Sequence, residues 1–191
     1  MIATLDVHFR VATEADLPWL QALIERSVRE LQTGDYRPEQ IEGALGHALG
    51  LDTQLIKDGT YFACECGDPL TLVGCGGWSF RKTLFGSDRG PAREPEALDP
   101  ATDAAKIRAI FVHPEFARRG LGSLILAHCE KAAGMAGFTR VEMGSTLTGV
   151  PLYKLRGYAE MERVEVPLPN GSVLPIVRMN KALPDAGEDS R

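Results

Sequence analysis

Residues 106–126, KIRAIFVHPEFARRGLGSLIL, constrain this chain more than any other stretch. They read as a strand, a basic loop carrying Gly120 and Gly122, and a helix. A helix start presents N–H groups without intrahelical partners and a partial positive charge. Glycines let a ligand approach the backbone closely, and Arg118 and Arg119 add charge beside them. An arginine pair alone is ordinarily a solvated loop. Next to Gly-x-Gly at a helix start, it describes a seat for a phosphate or pyrophosphate. Two familiar users of such a seat do not fit. A Walker loop needs Gly-Lys-Ser/Thr, whereas Gly122 is followed by Ser123-Leu124. A dinucleotide-binding loop needs GxGxxG directly after its strand; here the third position is Ile125 and HPEFARR intervenes, so Glu142, about twenty positions on, does not rescue that reading.

The rest of the chain frames this segment. Residues 7–12 read as a strand. A helix follows from a capping-box-like start at Thr13 and Asp16, with Leu17, Leu20, Ile24, Val28 and Leu31 at helical spacing and Gly34 as its stop. A second helix starts at Pro38 and carries Ile41, Leu45 and Leu49 on one side. TYFACEC and LTLVGCGGWSF read as a hairpin turning at Asp68-Pro69, and the glycines of its second strand suggest a bulge or a close backbone approach. Residues 81–103 are polar, proline-rich and aperiodic, which predicts a surface loop, partly mobile. After the central segment, whose helix SLILAHCEKAAGMAG closes at Gly137, come the strand FTRVEMGST and the short helix VPLYKLRG. The strands YAEMERVEV and SVLPIVRMN follow, joined through Pro169-Asn170-Gly171. The order β-α-α-β-β-β-α-β-α-β-β predicts an α/β (α+β) fold, a mixed sheet covered by helices. ALPDAGEDSR reads as a polar, disordered tail.

Composition narrows the function classes. At 191 residues the chain is sized for one domain with a sizeable core. A net charge of −5 argues against general nucleic-acid binding through a basic surface. No apolar run approaches the roughly 18 residues that span a membrane. MIATLDVHFR lacks a basic stretch followed by an apolar core, so the expected compartment is the cytoplasm. Cys64, Cys66, Cys75 and Cys129 form neither CxxC nor zinc spacing with histidine. They are expected as reduced thiols in a core, Cys64 and Cys66 on one face of a strand, with no metal.

The six residues Ala117-Arg118-Arg119-Gly120-Leu121-Gly122 resemble the acetyl-CoA-binding pattern Gln/Arg-x-x-Gly-x-Gly/Ala of the Gcn5-related N-acetyltransferase (GNAT) superfamily, with Ala at the first position. Leu152-Tyr153-Lys154-Leu155-Arg156-Gly157-Tyr158 resembles that family's second motif, Phe/Leu-Tyr-x-x-x-Gly-Phe/Tyr, in the right order and spacing. The resemblance spans roughly residues 10–180. It implies a mixed, mostly antiparallel sheet of about seven strands flanked by about four helices. It also implies a single acetyltransferase domain over 1–183, with 184–191 as the tail.

The resemblance further implies acetyl-CoA as co-substrate, its pyrophosphate held by amides of Arg118, Arg119, Gly120, Leu121, Gly122 and Ser123. Ile110, Phe111 and Val112 would offer backbone groups to the pantetheine arm, in a gap where their strand splays from FTRVEMGST. A backbone N–H near Val112 would polarise the thioester carbonyl. Thr148 stands where relatives often place an Asn against the CoA arm. Tyr153 matches the family's general acid. With Tyr near ~10 and a thiol near ~8.5, complete proton transfer is uphill by roughly 2 kcal/mol, so a hydrogen bond to the developing thiolate is the better description. Glu65, Glu142, His113 and a water chain are the candidate routes for the amine proton, and the base is left unassigned.

The implied reaction moves an acetyl group to a primary amine of a small molecule or peptide. The competing class is a non-catalytic acyl-CoA-binding or sensor domain. The acidic balance favours a cationic amine through steering. Tyr36 and Arg37 would line the acceptor pocket or be a plain loop. His113 and His128 are expected to be structural, and Trp78 to be core or pocket wall. Exposed sheet edges in this fold can pair, which admits a homodimer.

Overall fold

Thr13 sets where the first helix begins. The Asp16 carboxylate accepts from the Thr13 N–H at 2.8 Å and from its hydroxyl at 3.0 Å. One 3-10 turn, Glu14–Asp16, then leads into α1, Leu17–Leu31, with Pro18 in its first turn. This computed structural model describes residues 6–90 and 93–184. Leu20, Leu23, Ile24 and Val28 bury one face of α1, each contributing about 1.5–3 kcal/mol. The helix ends before Gly34, which does not take the left-handed conformation expected of a stop. Instead the Gln32 carbonyl accepts from the N–H groups of Asp35 and Tyr36, at 3.2 and 3.1 Å.

The second helix is shorter than its leucine spacing suggests. α2 spans Pro38–Ala44; Leu45 is extended and Gly46 is left-handed, so Leu49 reaches the core from a turn. A fifth helix, α3, Thr53–Lys57, lies between α2 and the first hairpin, where the sequence reading has none. Asp52 caps it by accepting from the Gln54 N–H.

Seven strands form one sheet: β1 (Val7–Val11), β2 (Tyr61–Cys66), β3 (Thr71–Ser79), β4 (Ala105–Val112), β5 (Arg140–Thr146), β6 (Ala159–Pro167) and β7 (Val173–Ala182). Their order is β1-β2-β3-β4-β5-β7-β6, antiparallel except between β4 and β5. Strand alternation sends Tyr61 and Ala63 to one buried cluster, with α1 to α3, and Phe62 and Cys64 to the other. The second cluster holds α4 (Leu121–Met135), which is closed by left-handed Gly137 as expected. Cys64 and Cys66 both face it, and all four thiols are free. Trp78 is core, edge-on to Phe80 and Phe138. α5 (Val150–Leu155) follows β5 and carries Pro151 in its first turn.

The sheet splits at the parallel step between β4 and β5. β4 and β5 pair at Ala105–Val141 and Lys106–Glu142 and then separate. A bulge in β4 accompanies the split. Arg108 faces Gly77 and Phe111 faces Cys75, so Ala109 and Ile110 together oppose Gly76. Ala109 takes φ +51°, a region costing an L-residue about 1–2 kcal/mol, and the Tyr61 hydroxyl holds its carbonyl at 2.9 Å. The glycine expectation holds here: a β-carbon on Gly76 would stand 2.6 Å from Ile125 Cγ2.

The described parts of the 81–103 connection, 81–90 and 93–103, make specific hydrogen bonds that its composition does not signal. Thr83 pairs with Glu94 through backbone and side chain. The buried Ser87 hydroxyl donates to the Gly46 carbonyl at 2.7 Å. Arg108 donates to the Thr83 and Gly86 carbonyls and to Asp52, which also accepts from Arg93. The end of the tail, 185–191, lies outside the described residues. Among the described residues no helix is long and apolar enough to cross a membrane.

Candidate active site

The chain leaves β4 through His113, whose ring accepts from the Glu115 N–H and caps the 3-10 turn Pro114–Phe116. It then turns through two left-handed residues, Arg118 at φ +63° and Gly120 at φ +85°. The first backbone N–H groups to find an acceptor beyond this point are those of Ser123 and Leu124, both on the Gly120 carbonyl, at 3.0 and 3.2 Å. The N–H groups of residues 118–122 have no hydrogen-bond partner among the described residues. Five successive free donors therefore sit on the positive end of a 15-residue helix. Arg118, Arg119 and Gly120 are exposed, and the Arg119 guanidinium lies over the Phe116 ring. Leu121 turns its side chain into the core.

The two sequence motifs meet at Gly122. A β-carbon there would stand 3.1 Å from Leu152 Cδ2 of α5 and 3.9 Å from Val112 Cγ2 of β4. The Ser123 hydroxyl accepts from Arg156 Nε at 3.0 Å, which brings a third arginine to the loop. No local spacing signals that contact. On β4, the His113 N–H is bound to the Val73 carbonyl of β3. Ladder alternation turns the N–H and C=O of Val112 the other way, toward the side that β5 has left.

Beyond the split lies a small cleft of about 80 Å³. Residues 107–111 of β4 and 143–146 of β5 form its sides, with Tyr153 between them and Gln32, Leu49 and Phe85 on other walls. Tyr153 is half-buried and packs edge-on to Tyr158, which is fixed by a 2.8 Å bond to Glu130. The Tyr153 hydroxyl has no hydrogen-bond partner among the described residues, and burial raises its pKa well above that of a free phenol. Thr148 lies at the mouth of α5, where its hydroxyl donates to Asp35 at 2.8 Å.

The three side chains considered as bases are engaged elsewhere. Glu65 holds Arg10 at 2.7 Å, Glu142 pairs with Lys106 and Arg178, and His113 meets Arg26 at 2.8 Å. Among the described residues no carboxylate lines the cleft. His128 stacks on Phe9 and is structural, as expected. Tyr36 is a staple and does not line the pocket: its hydroxyl donates to the Pro175 carbonyl at 2.7 Å and accepts from the Leu147 N–H at 2.8 Å. Burial pushes its pKa up to about 12. Arg37 is exposed and pairs with Glu39. The residue of this connection that does reach the cleft is Gln32, which no pattern in the sequence marks.

The acetyltransferase (GNAT) family model matches residues 25–158 and so spans the free-amide loop and the Tyr153 motif together. The chain belongs to the acetyltransferase (GNAT) family. Solved structures share the GNAT fold at low identity. A GCN5-related N-acetyltransferase from Rhodopseudomonas palustris is 20% identical, with a TM-score of 0.69 over 96% of this chain and 98% of its own. The PaiA N-acetyltransferase from Thermoplasma acidophilum, in complex with coenzyme A, is 14% identical, with a TM-score of 0.61 over 93% and 99%. The N-acetylglutamate synthase from Neisseria gonorrhoeae, complexed with coenzyme A and N-acetyl-glutamate, is 19% identical, with a TM-score of 0.56 over 95% and 36%. No curated protein matches the chain.

Proposed function

We propose that this GNAT chain, as one catalytic domain over residues 1–183, transfers an acetyl group from acetyl-CoA to a primary amine. The observation that carries the reading is the run of free N–H groups at 118–122, next to a cleft holding an unpartnered phenol. Those amides suit a pyrophosphate, and Arg118, Arg119 and Arg156 add charge. The open backbone groups of residues 110–112 suit the amides of a pantetheine arm. Bound acetyl-CoA supplies a thioester, an activated acetyl donor.

The chain's own groups then have distinct tasks. The Val112 N–H polarises the carbonyl, a donor role typically worth about 3–4 kcal/mol. Tyr153, held protonated by burial, gives a hydrogen bond to the departing sulfur. Thr148, with its proton directed to Asp35, offers the CoA arm only an acceptor oxygen. With no carboxylate in the cleft, the amine loses its proton to water. That same absence favours one second reading, a non-catalytic acyl-CoA sensor.

Thiol release from acetyl-CoA with an amine panel separates the two. Tyr153→Phe is expected to lower kcat at least ~10-fold while the CoA Kd stays within ~3-fold. An unchanged kcat removes Tyr153 from the reaction, and failure of CoA to bind contradicts the reading as a whole.

A further inference from the structure

We propose that Gln32 is the acceptor-recognising residue of this cleft. The acceptor it selects is a compact primary amine that carries a hydroxyl or amide N–H beside the reacting nitrogen and no second cation. The inference rests on the acetyltransferase reading above and names the substrate class for it.

Gln32 is 7% exposed, and its Oε1 is the buried side-chain oxygen or nitrogen without a hydrogen-bond partner among the described residues. Buried polar atoms are otherwise satisfied in folded proteins, and an exception points to a missing partner. The residue that carries it, Gln32, lines the same cleft as Tyr153. A carbonyl oxygen accepts, so its missing partner is a donor.

The backbone that carries this side chain is held in place by its neighbours. The backbone carbonyl of Gln32 takes the N–H groups of Asp35 and Tyr36. Tyr36 is bolted to Leu147 and Pro175, and Asp35 to Thr148. Leu147 and Thr148 lead directly into α5, which carries Tyr153. The recognition point and the phenol therefore share one frame.

Charge decides the rest. Leu49, Leu84 and Phe85 give the cleft apolar walls, and no carboxylate among the described residues lines it. Arg108, also lining it, has its guanidinium on Asp52 and on the Thr83 and Gly86 carbonyls. A second ammonium here would find no carboxylate to pair with among the described lining residues, which is unfavourable. The net charge of −5 can steer cations toward the surface, but this cleft does not select for them.

The test uses thiol release from acetyl-CoA with glycinamide, 3-amino-1-propanol, n-butylamine and 1,4-diaminobutane. Acceptor binding is read in parallel as the thermal shift of the CoA-bound protein. The parent is expected to favour the first two over n-butylamine by five- to fiftyfold in kcat/KM, with the diamine poorest. Gln32→Met, equal in length, is expected to bring that ratio close to one. It also raises the melting temperature of the ligand-free protein, because a lone buried amide is gone. Gln32→Glu shifts the preference toward the diamine at least tenfold. Unchanged ratios in Gln32→Met, or a lowered melting temperature with no change in selectivity, assign Gln32 a structural role and overturn the inference. A panel in which no member is turned over or bound overturns it as well. CoA affinity on the same samples shows whether the acetyltransferase reading falls too: thiol release with unaltered ratios leaves that reading standing, and loss of CoA binding does not.

Discussion

A β-carbon on Gly122 would touch the flexible end of Leu152 at 3.1 Å, while the backbone beside it presents free donors. Space and charge can therefore be separated at one position. Gly122→Ala is expected to raise the CoA Kd no more than ~3-fold, because a leucine methyl can move aside. Gly122→Asp puts a negative charge beside the amides proposed to hold the phosphates and is expected to raise it at least ~30-fold, about 2 kcal/mol. Isothermal titration measures both, and equal effects would mean that crowding, and not charge, governs the site. At this scale the sequence was informative where chemistry is local. Gly120, Gly122 and the arginine pair stand where their pattern puts them. Arg156 reaches Ser123 across 33 residues and Gln32 reaches the cleft through tertiary packing, so neither had a local signal.

Between elements, the β1-to-α1 corner is fastened by charge. Arg10 on β1 bonds Asp16 at 2.7 and 2.8 Å and also holds Glu65 on β2. Hydrogen bonds from Arg10, ahead of the opposing effect of burial, lower the Asp16 pKa to about 2. A carboxylate whose folded pKa lies below its unfolded value, near ~3.9, adds stability that is fully present above that value. The contribution is lost as pH falls through the folded pKa. Asp16→Asn is therefore expected to cost about 1 kcal/mol at pH 7, a figure trimmed because Arg10 is partly exposed. Parent and variant should converge by pH 2, as read by urea unfolding at pH 7, 3 and 2. A gap that stays constant over this range would assign the effect to the Thr13 turn and not to ionisation. Element types were legible from periodicity, and the bounds less so. Leu45 and Leu49 continue a helical spacing that Gly46 breaks, and α3 is five residues long, too short to show a period.

In the whole molecule the free amides at the start of α4 and the cleft both lie beside the parting of β4 and β5. Those free amides lie on one contiguous stretch, which is why the strand-loop-helix pattern points to them. The segments around the cleft are fixed by distant pairs: Asp52 with Arg108, 56 residues apart, and Tyr36 with Pro175, 139 apart. Asp52 and Arg108 are both buried, and removing one partner of such a pair costs about 3–5 kcal/mol. Composition reads that region as a surface loop because proline and charge carry no information on partners so far away. The account as a whole depends on what the amides at the start of α4 do. Backbone amide NMR during titration with CoA, and separately with pantetheine, observes them directly. The predicted result is that CoA shifts the N–H resonances of residues 118–122 most strongly, while pantetheine, which lacks the pyrophosphate, leaves them in place. CoA binding that moves other amides and spares these five would contradict the account.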